Sequence, residues 1–178
     1  MADEIATVAD GMRRHVECEL ARARAGLASR AGTPQSVAAV ADQVIGVLRR
    51  TPRGHDLAWT NAVPDDLRVS VDAQDLAEIL GNLTENAAKW AMRAVRIAGE
   101  SQGDEILVSV DDDGPGIPEE KIETVLARGG RLDETQSGSG LGLAIVGDLL
   151  DAYGGSLALR RSSLGGLRAE IRLPLHGA

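Results

Sequence analysis

The chain has 178 residues, a formal charge of -8, one cysteine, three histidines and no phenylalanine. That length suits one core-bearing domain with a helical appendage. The acidic balance argues against a nucleic-acid-binding surface, and a single cysteine leaves neither an internal disulfide nor a Cys-x-x-Cys metal site.

From Glu4 to Ser29, apolar Met12, Val16, Leu20 and Leu27 alternate with Arg13, Arg14, Glu17, Glu19, Arg22 and Arg24, which predicts a helix to about Arg30. Cys18 falls on it as a small buried residue. Gly32-Thr33-Pro34 breaks the chain before a second helix over about Gln35 to Arg49, and Thr51-Pro52-Arg53-Gly54 reads as a turn. Short strands are predicted near Leu57 to Asn61 and Leu67 to Val71. A helix from about Ala73 to Met92 buries Leu76, Ile79, Leu80, Leu83 and Ala87 along one stripe. Strands near Ala94 to Gly99 and Ile106 to Val110 flank a hairpin turn at Gly103-Asp104. After a loop-rich stretch, a helix runs to Tyr153 and is capped by Gly154-Gly155. Ser156 to Arg161 and Leu167 to Leu173 close the chain as a hairpin. The expected architecture is α/β, a two-layer sandwich with a mixed sheet covered on one face by three helices. No run of eighteen apolar residues and no signal-peptide pattern occurs, so a soluble piece is expected.

Three separated segments carry chemistry. On the helix of Ala73 to Met92, Asn82 and Asn86 lie one turn apart, with Lys89 on the same side. Asparagine is a poor helix former, and paired side-chain carbonyls suit a hard cation such as Mg2+; a solvated face carrying two Asn is the alternative. The strand ending at Val110 runs into Asp111-Asp112-Asp113-Gly114-Pro115-Gly116. An ionised Asp accepts hydrogen bonds only, which suits an exocyclic amine such as that of adenine, although Asp, Gly and Pro also make plain turns. Finally, Gly138, Gly140 and Gly142 precede an apolar helical run beginning at Leu141, where free N–H groups favour phosphate. No Gly-Lys-Ser/Thr follows and no strand directly precedes, so these glycines match neither a P-loop nor a dinucleotide fingerprint, and a flexible lid hinge fits better.

In order and spacing, the three segments resemble the N, G1 and G2 boxes of the catalytic and ATP-binding domain of sensor histidine kinases. That domain belongs to a superfamily shared with type II topoisomerases, MutL-like repair ATPases and Hsp90 chaperones, and the resemblance covers roughly residues 35 to 175. It implies a Bergerat-type ATP-binding fold, with ATP and Mg2+ as cofactors. It further implies that Asn86 ligates Mg2+, that Asn82 orients metal or phosphate, and that Lys89 meets phosphate oxygens. Asp112 rather than Asp113 is then the adenine acceptor, with Gly114 and Gly116 lining the base pocket. Gly138, Gly140, Leu141 and Gly142 belong to the hinge of a lid over about residues 117–139. Trp90 either stacks near adenine or packs in the core. Arg128 and Arg131 either reach the γ-phosphate from the lid or stay solvated.

Two departures from the family narrow the reading. Hydrolytic branches carry a glutamate one turn before the metal-ligating Asn; here that residue is Asn82, and an amide is no general base. Transfer to an acceptor other than water is therefore favoured. The phenylalanine-containing F box is also missing, and Val125-Leu126 stands in its place.

The run Arg14 to Arg24 resembles the second helix of a kinase dimerisation hairpin. His15 is followed by Val16 rather than by an acidic residue and a proline, so it does not match the phosphoacceptor, and His55 and His176 fit no better. Residues 1–31 are thus expected to be the remnant of that helix and 32–178 the catalytic domain. The acceptor histidine, together with sensor and membrane segments, would precede Met1. The expected setting is the cytoplasmic part of an inner-membrane sensor kinase in a bacterial two-component phosphorelay. The parent is expected to be a homodimer passing phosphate to a response regulator receiver domain, and this piece a monomer, with no nucleic-acid partner. Two alternatives remain: a serine kinase of the anti-sigma-factor type, and a non-catalytic nucleotide-binding interaction module.

Overall fold

The computed structural model describes residues 34–126 and 142–175, with side chains of 123–126 left aside. Strand β1 (Gln35–Ser36) leads into helix α1 (Val37–Leu48), whose N-cap Ser36 side chain accepts from the Ala39 amide. Thr51 then caps the one-turn helix α2 (Pro52–His55), with proline in the first turn where its missing N–H costs nothing. Strands β2 (Ala58–Ala62) and β3 (Arg68–Val69) precede helix α3 (Ala73–Trp90). They are followed by β4 (Ala94–Gln102), β5 (Glu105–Asp112), α4 (Glu119–Leu126), α5 (Gly142–Ala152), β6 (Ser156–Arg161) and β7 (Leu167–Pro174).

Five strands form one sheet in the order β2-β4-β5-β7-β6. The β2–β4 pair is parallel and the rest antiparallel, as expected of a mixed sheet. Helices α1, α3 and α5 lie on one face, with α3 in the middle. Its apolar stripe, Leu76, Ile79, Leu80 and Leu83, is fully buried against Val95, Ile97, Ile106, Val108 and Val110 of the central strands. Side chains of this size each contribute roughly 1.5–3 kcal/mol on burial, so a core without phenylalanine is still adequate. Among the described residues no helix is long and apolar enough to cross a membrane.

Several expected boundaries shift. Gln35 and Ser36 are strand rather than helix, because they pair antiparallel with Arg68 and Val69 in a small second sheet. The strand expected over Leu67 to Val71 shrinks to those two residues, since it edges this ribbon and not the main sheet. The turn at Thr51 to Gly54 becomes a helical turn once its cap is made. Strands β4 and β5 extend further than apolar runs indicate, because their polar ends still pair, Gln102 with Glu105 and Val95 with Asp112. The expected N-terminal helix, most of the lid and His176 lie outside the described residues.

Candidate functional site

Period-two alternation along β5 gives the three aspartates different jobs. Asp112 shares the helix-covered face with Val110, and its cross-strand partner is Val95. Asp111 points to the opposite face, in register with Arg96 on one side and Arg168 on the other. There its buried carboxylate accepts two bonds from the Arg168 guanidinium, at 2.8 and 3.1 Å, and one from the Ser162 hydroxyl at 2.8 Å. Ser162 begins the β6–β7 turn, so this pairing anchors that turn to the sheet. Hydrogen bonding to Asp111 raises the Arg168 guanidinium above its ordinary value.

Asp112 is 2% exposed. Its Oδ1 accepts from the Gly114 amide at 2.8 Å and from the Leu167 amide at 3.2 Å. Among the described residues no donor reaches Oδ2. A carboxylate so held is pre-aimed, with one oxygen fixed between its own loop and the start of β7. Burial pushes its carboxyl above the ordinary range, against the two amide bonds that favour the ionised form.

The surrounding backbone is close. A Cβ at Gly166 would sit 2.1 Å from Asp112 Oδ1, and one at Gly114 would sit 2.5 Å from the Trp90 carbonyl oxygen. Only glycine lets the β6–β7 turn, the Asp112 loop and the end of α3 meet this way. Gly116 takes φ +72 against Gly166, a left-handed conformation that glycine adopts freely.

The remaining residues come from α3 and α5. Asn82 donates its amide to the Glu78 carbonyl at 2.8 Å, and its Oδ1 faces the start of α5. A Cβ on Gly142, the first residue of α5, would lie 3.0 Å from that oxygen. Asn86 is half-buried one turn later, and no hydrogen bond to its amide is made by the described residues. Two side-chain carbonyls one turn apart on a helix, the first facing the start of another helix, are a donor set that fits a hard divalent cation. Lys89 is exposed, with its ammonium 5.3 Å from the centroid of the Trp90 ring. Trp90 itself is half-buried at the last position of α3.

Thus Asn82, Asn86, Lys89, Trp90, Asp112, Gly114, Gly116 and Gly142 converge where the C-terminal half of α3 meets the end of β5 and the start of α5. Arg128, Arg131, Gly138, Gly140 and Leu141 lie outside the described residues.

Two residues given no binding role by the sequence reading also shape this region. Asp113 accepts from the amides of Met92 at 2.8 Å, Arg93 at 2.9 Å and Ala94 at 3.1 Å. Desolvation pushes its carboxyl up, but these backbone donors together outweigh it and hold it below the ordinary value. Arg53 of α2 donates to the carbonyls of Ala88, at 3.4 Å, and Ala91 at the end of α3. Alternation along β5 could have assigned Asp111 and Asp112 to opposite faces from sequence; nothing local points to Arg53.

Residues 71–177 match the family described as Histidine kinase-, DNA gyrase B-, and HSP90-like ATPase. The sensor protein kinase CarS of Pseudomonas aeruginosa is 47% identical over 126 residues, which is 71% of this chain and 28% of that protein. The virulence sensor histidine kinase PhoQ of Salmonella typhimurium is 31% identical over 135 residues, 76% of this chain and 28% of that protein. This chain therefore matches just over a quarter of the length of these curated relatives. Among solved structures, the mycobacterial sensor histidine kinase MprB superposes with a TM-score of 0.70 at 28% identity, covering 82% of this chain and 99% of that one. The catalytic domain of the histidine kinase ThkA does so with a TM-score of 0.70 at 25% identity, covering 80% of this chain and 95% of that one.

Proposed function

Because the chain belongs to the Histidine kinase-, DNA gyrase B-, and HSP90-like ATPase family and corresponds to the ATP-binding catalytic domain of sensor histidine kinases, we propose that it binds Mg-ATP between α3, the Asp112 loop and α5. The γ-phosphoryl group then passes to a histidine on a helical hairpin of the parent kinase. The observation that carries the reading is the pre-aimed carboxylate of Asp112, buried and held by two backbone amides on one oxygen, in a loop packed against the end of the helix that carries Asn82, Asn86 and Lys89.

In this reading Asp112 Oδ2 accepts from the adenine amine, with Gly114 and Gly116 giving the base close access to backbone. Trp90 flanks that pocket from the end of α3. Asn86 would hold Mg2+ and Asn82 would orient the metal or phosphate; bound there, the ion neutralises charge on the phosphates. Lys89 brings a cation to the phosphate oxygens. The acceptor imidazole nitrogen attacks the γ-phosphorus, the bond from that phosphorus to the β–γ bridging oxygen breaks, and ADP leaves with the electron pair. Asn82 has no basic group to deprotonate water, so the site favours an acceptor that brings its own nucleophilic nitrogen. Catalysis is positioning and charge stabilisation. Gly138, Gly140 and Leu141 complete the hinge with Gly142, and Arg128 and Arg131 act from the lid.

For the whole protein we infer a dimeric kinase with its nucleotide site in the cytoplasm, where ATP is supplied, and a response regulator as the final acceptor. Residues 32–178 form the catalytic domain in this scheme, and residues 1–31 join it to the hairpin.

The test is transfer from γ-labelled Mg-ATP to the parent's complete hairpin supplied separately. Acid-labile, alkali-stable label on the hairpin is the expected result. Acid-stable label would instead indicate a serine acceptor, and nucleotide binding without any label would overturn the assignment as a kinase.

A further inference from the structure

The last turn of α3 carries Lys89 and Trp90, with Asn86 just before it, and its end is held from two sides, by Arg53 outside the three motifs and by Asp113, which follows Asp112 in the second. Helix C-termini leave carbonyls without intrahelical partners. Here two of them, on Ala88 and Ala91, receive the guanidinium of Arg53. Arg53 is itself fixed: Thr51 caps its short helix, and the Trp59 indole donates to the Gly54 carbonyl at 2.8 Å. On the other side, the chain turns from α3 into β4 with the successive amides of Met92, Arg93 and Ala94 gathered onto the carboxylate of Asp113. Successive amides of this kind form a concavity suited to an anion.

We propose that Asp113 and Arg53 are positioning residues, a two-sided brace that fixes the end of α3 against the Asp112 loop and so sets the distance between the base end and the phosphate end of the nucleotide site. The inference rests on the nucleotide-binding reading above. Asp113 is covalently next to Asp112, so its bonds from three amides tie the base-recognising residue directly to the turn that follows Trp90. Without the brace, the β5–β7 ladder and the Leu167 amide still hold Asp112, whereas α3 loses its fixed end. The turn amides are partly exposed and can turn to water, so the loss falls on geometry more than on folding.

The experiment uses the full chain and two probes: a non-hydrolysable ATP analogue with Mg2+, which spans both ends of the site, and adenosine, which occupies the base end only. For Asp113→Ala the expected loss is roughly ten- to a hundredfold for the analogue, as for a displacement of about 1 Å, and less than about threefold for adenosine. Asp113→Asn keeps an acceptor oxygen and should recover most of the analogue affinity, a rescue that a simple loss of stability would not give. If Asp113→Ala does not fold, Arg53→Met, which trims the cap on α3 alone, carries the same comparison. Equal losses for both probes, or unchanged affinity in a folded variant, would overturn the brace while leaving the nucleotide site standing. A wild-type chain that binds neither probe would overturn the site itself.

Discussion

The Tyr153 hydroxyl donates to the buried carboxylate of Asp75 at 2.7 Å and also accepts from the Asp72 amide at 3.2 Å. It thereby ties the residue just beyond α5 to the first turn of α3, while the other end of α5 meets α3 at Gly142 and Asn82. Replacing it, Tyr153→Phe, should cost about 1–3 kcal/mol, because a buried acceptor loses a donor. Burial first, and the bond to Asp75 next, raise the phenol above its ordinary value of 10.0. The unfolded chain thus releases this proton at a lower pH than the folded one, and wild-type stability should decline as pH rises past 10. Denaturant unfolding across alkaline pH should show that decline weakened in Tyr153→Phe.

Asp112→Asn should separate binding from folding. Mg-ATP affinity is expected to fall by roughly 1.5–3 kcal/mol, the range for a hydrogen bond to a charged group. Because burial raises the Asp112 carboxyl, the stability linked to its protonated form is complete below 3.8 and lost as pH rises through the folded-state value. At neutral pH the apo variant should therefore match or exceed wild type in thermal midpoint. Calorimetric titration and thermal unfolding on the same sample check both halves.

Asn86→Ala should abolish most of the increase in ATP affinity that Mg2+ produces, with little change in binding measured in excess chelator. Equal Mg2+ enhancement in variant and wild type would remove Asn86 from the metal shell.

Arg168→Met should destabilise the domain by about 3–5 kcal/mol, since Asp111 is fully buried and would lose its charged partner. Double replacement with Asp111→Asn should recover part of that loss in urea denaturation, as the uncompensated charge is gone.

Thr84 gives the opposite sign. Its hydroxyl is buried and has no hydrogen-bond partner among the described residues. Thr84→Val keeps the shape and removes the unsatisfied group, so a gain of about 1 kcal/mol is expected with nucleotide affinity unchanged. Thermal unfolding with a parallel binding titration measures both.

The sheet-and-helix layering and the three segments that resemble family motifs are readable in the sequence alone. Period-3.6 and period-2 burial are local signals, and Leu76, Ile79, Leu80 and Leu83 or Val108 and Val110 carry them without reference to the rest of the chain. Asn82, Asn86 and Asp112 stand out in the sequence because their chemistry is unusual for their places. How those segments are held depends on contacts between distant parts of the chain. The ribbon that makes Gln35 and Ser36 a strand needs Arg68 and Val69, which lie beyond two helices and another strand. Division of labour among Asp111, Asp112 and Asp113 depends on Arg168, on the amides of Gly114 and Leu167, and on the turn after α3. Arg53 gains its place from carbonyls 35 and 38 residues further along. A hydrogen bond between groups so distant in sequence leaves no periodic trace, because its partner is chosen by the packing of whole elements and not by the residues beside it.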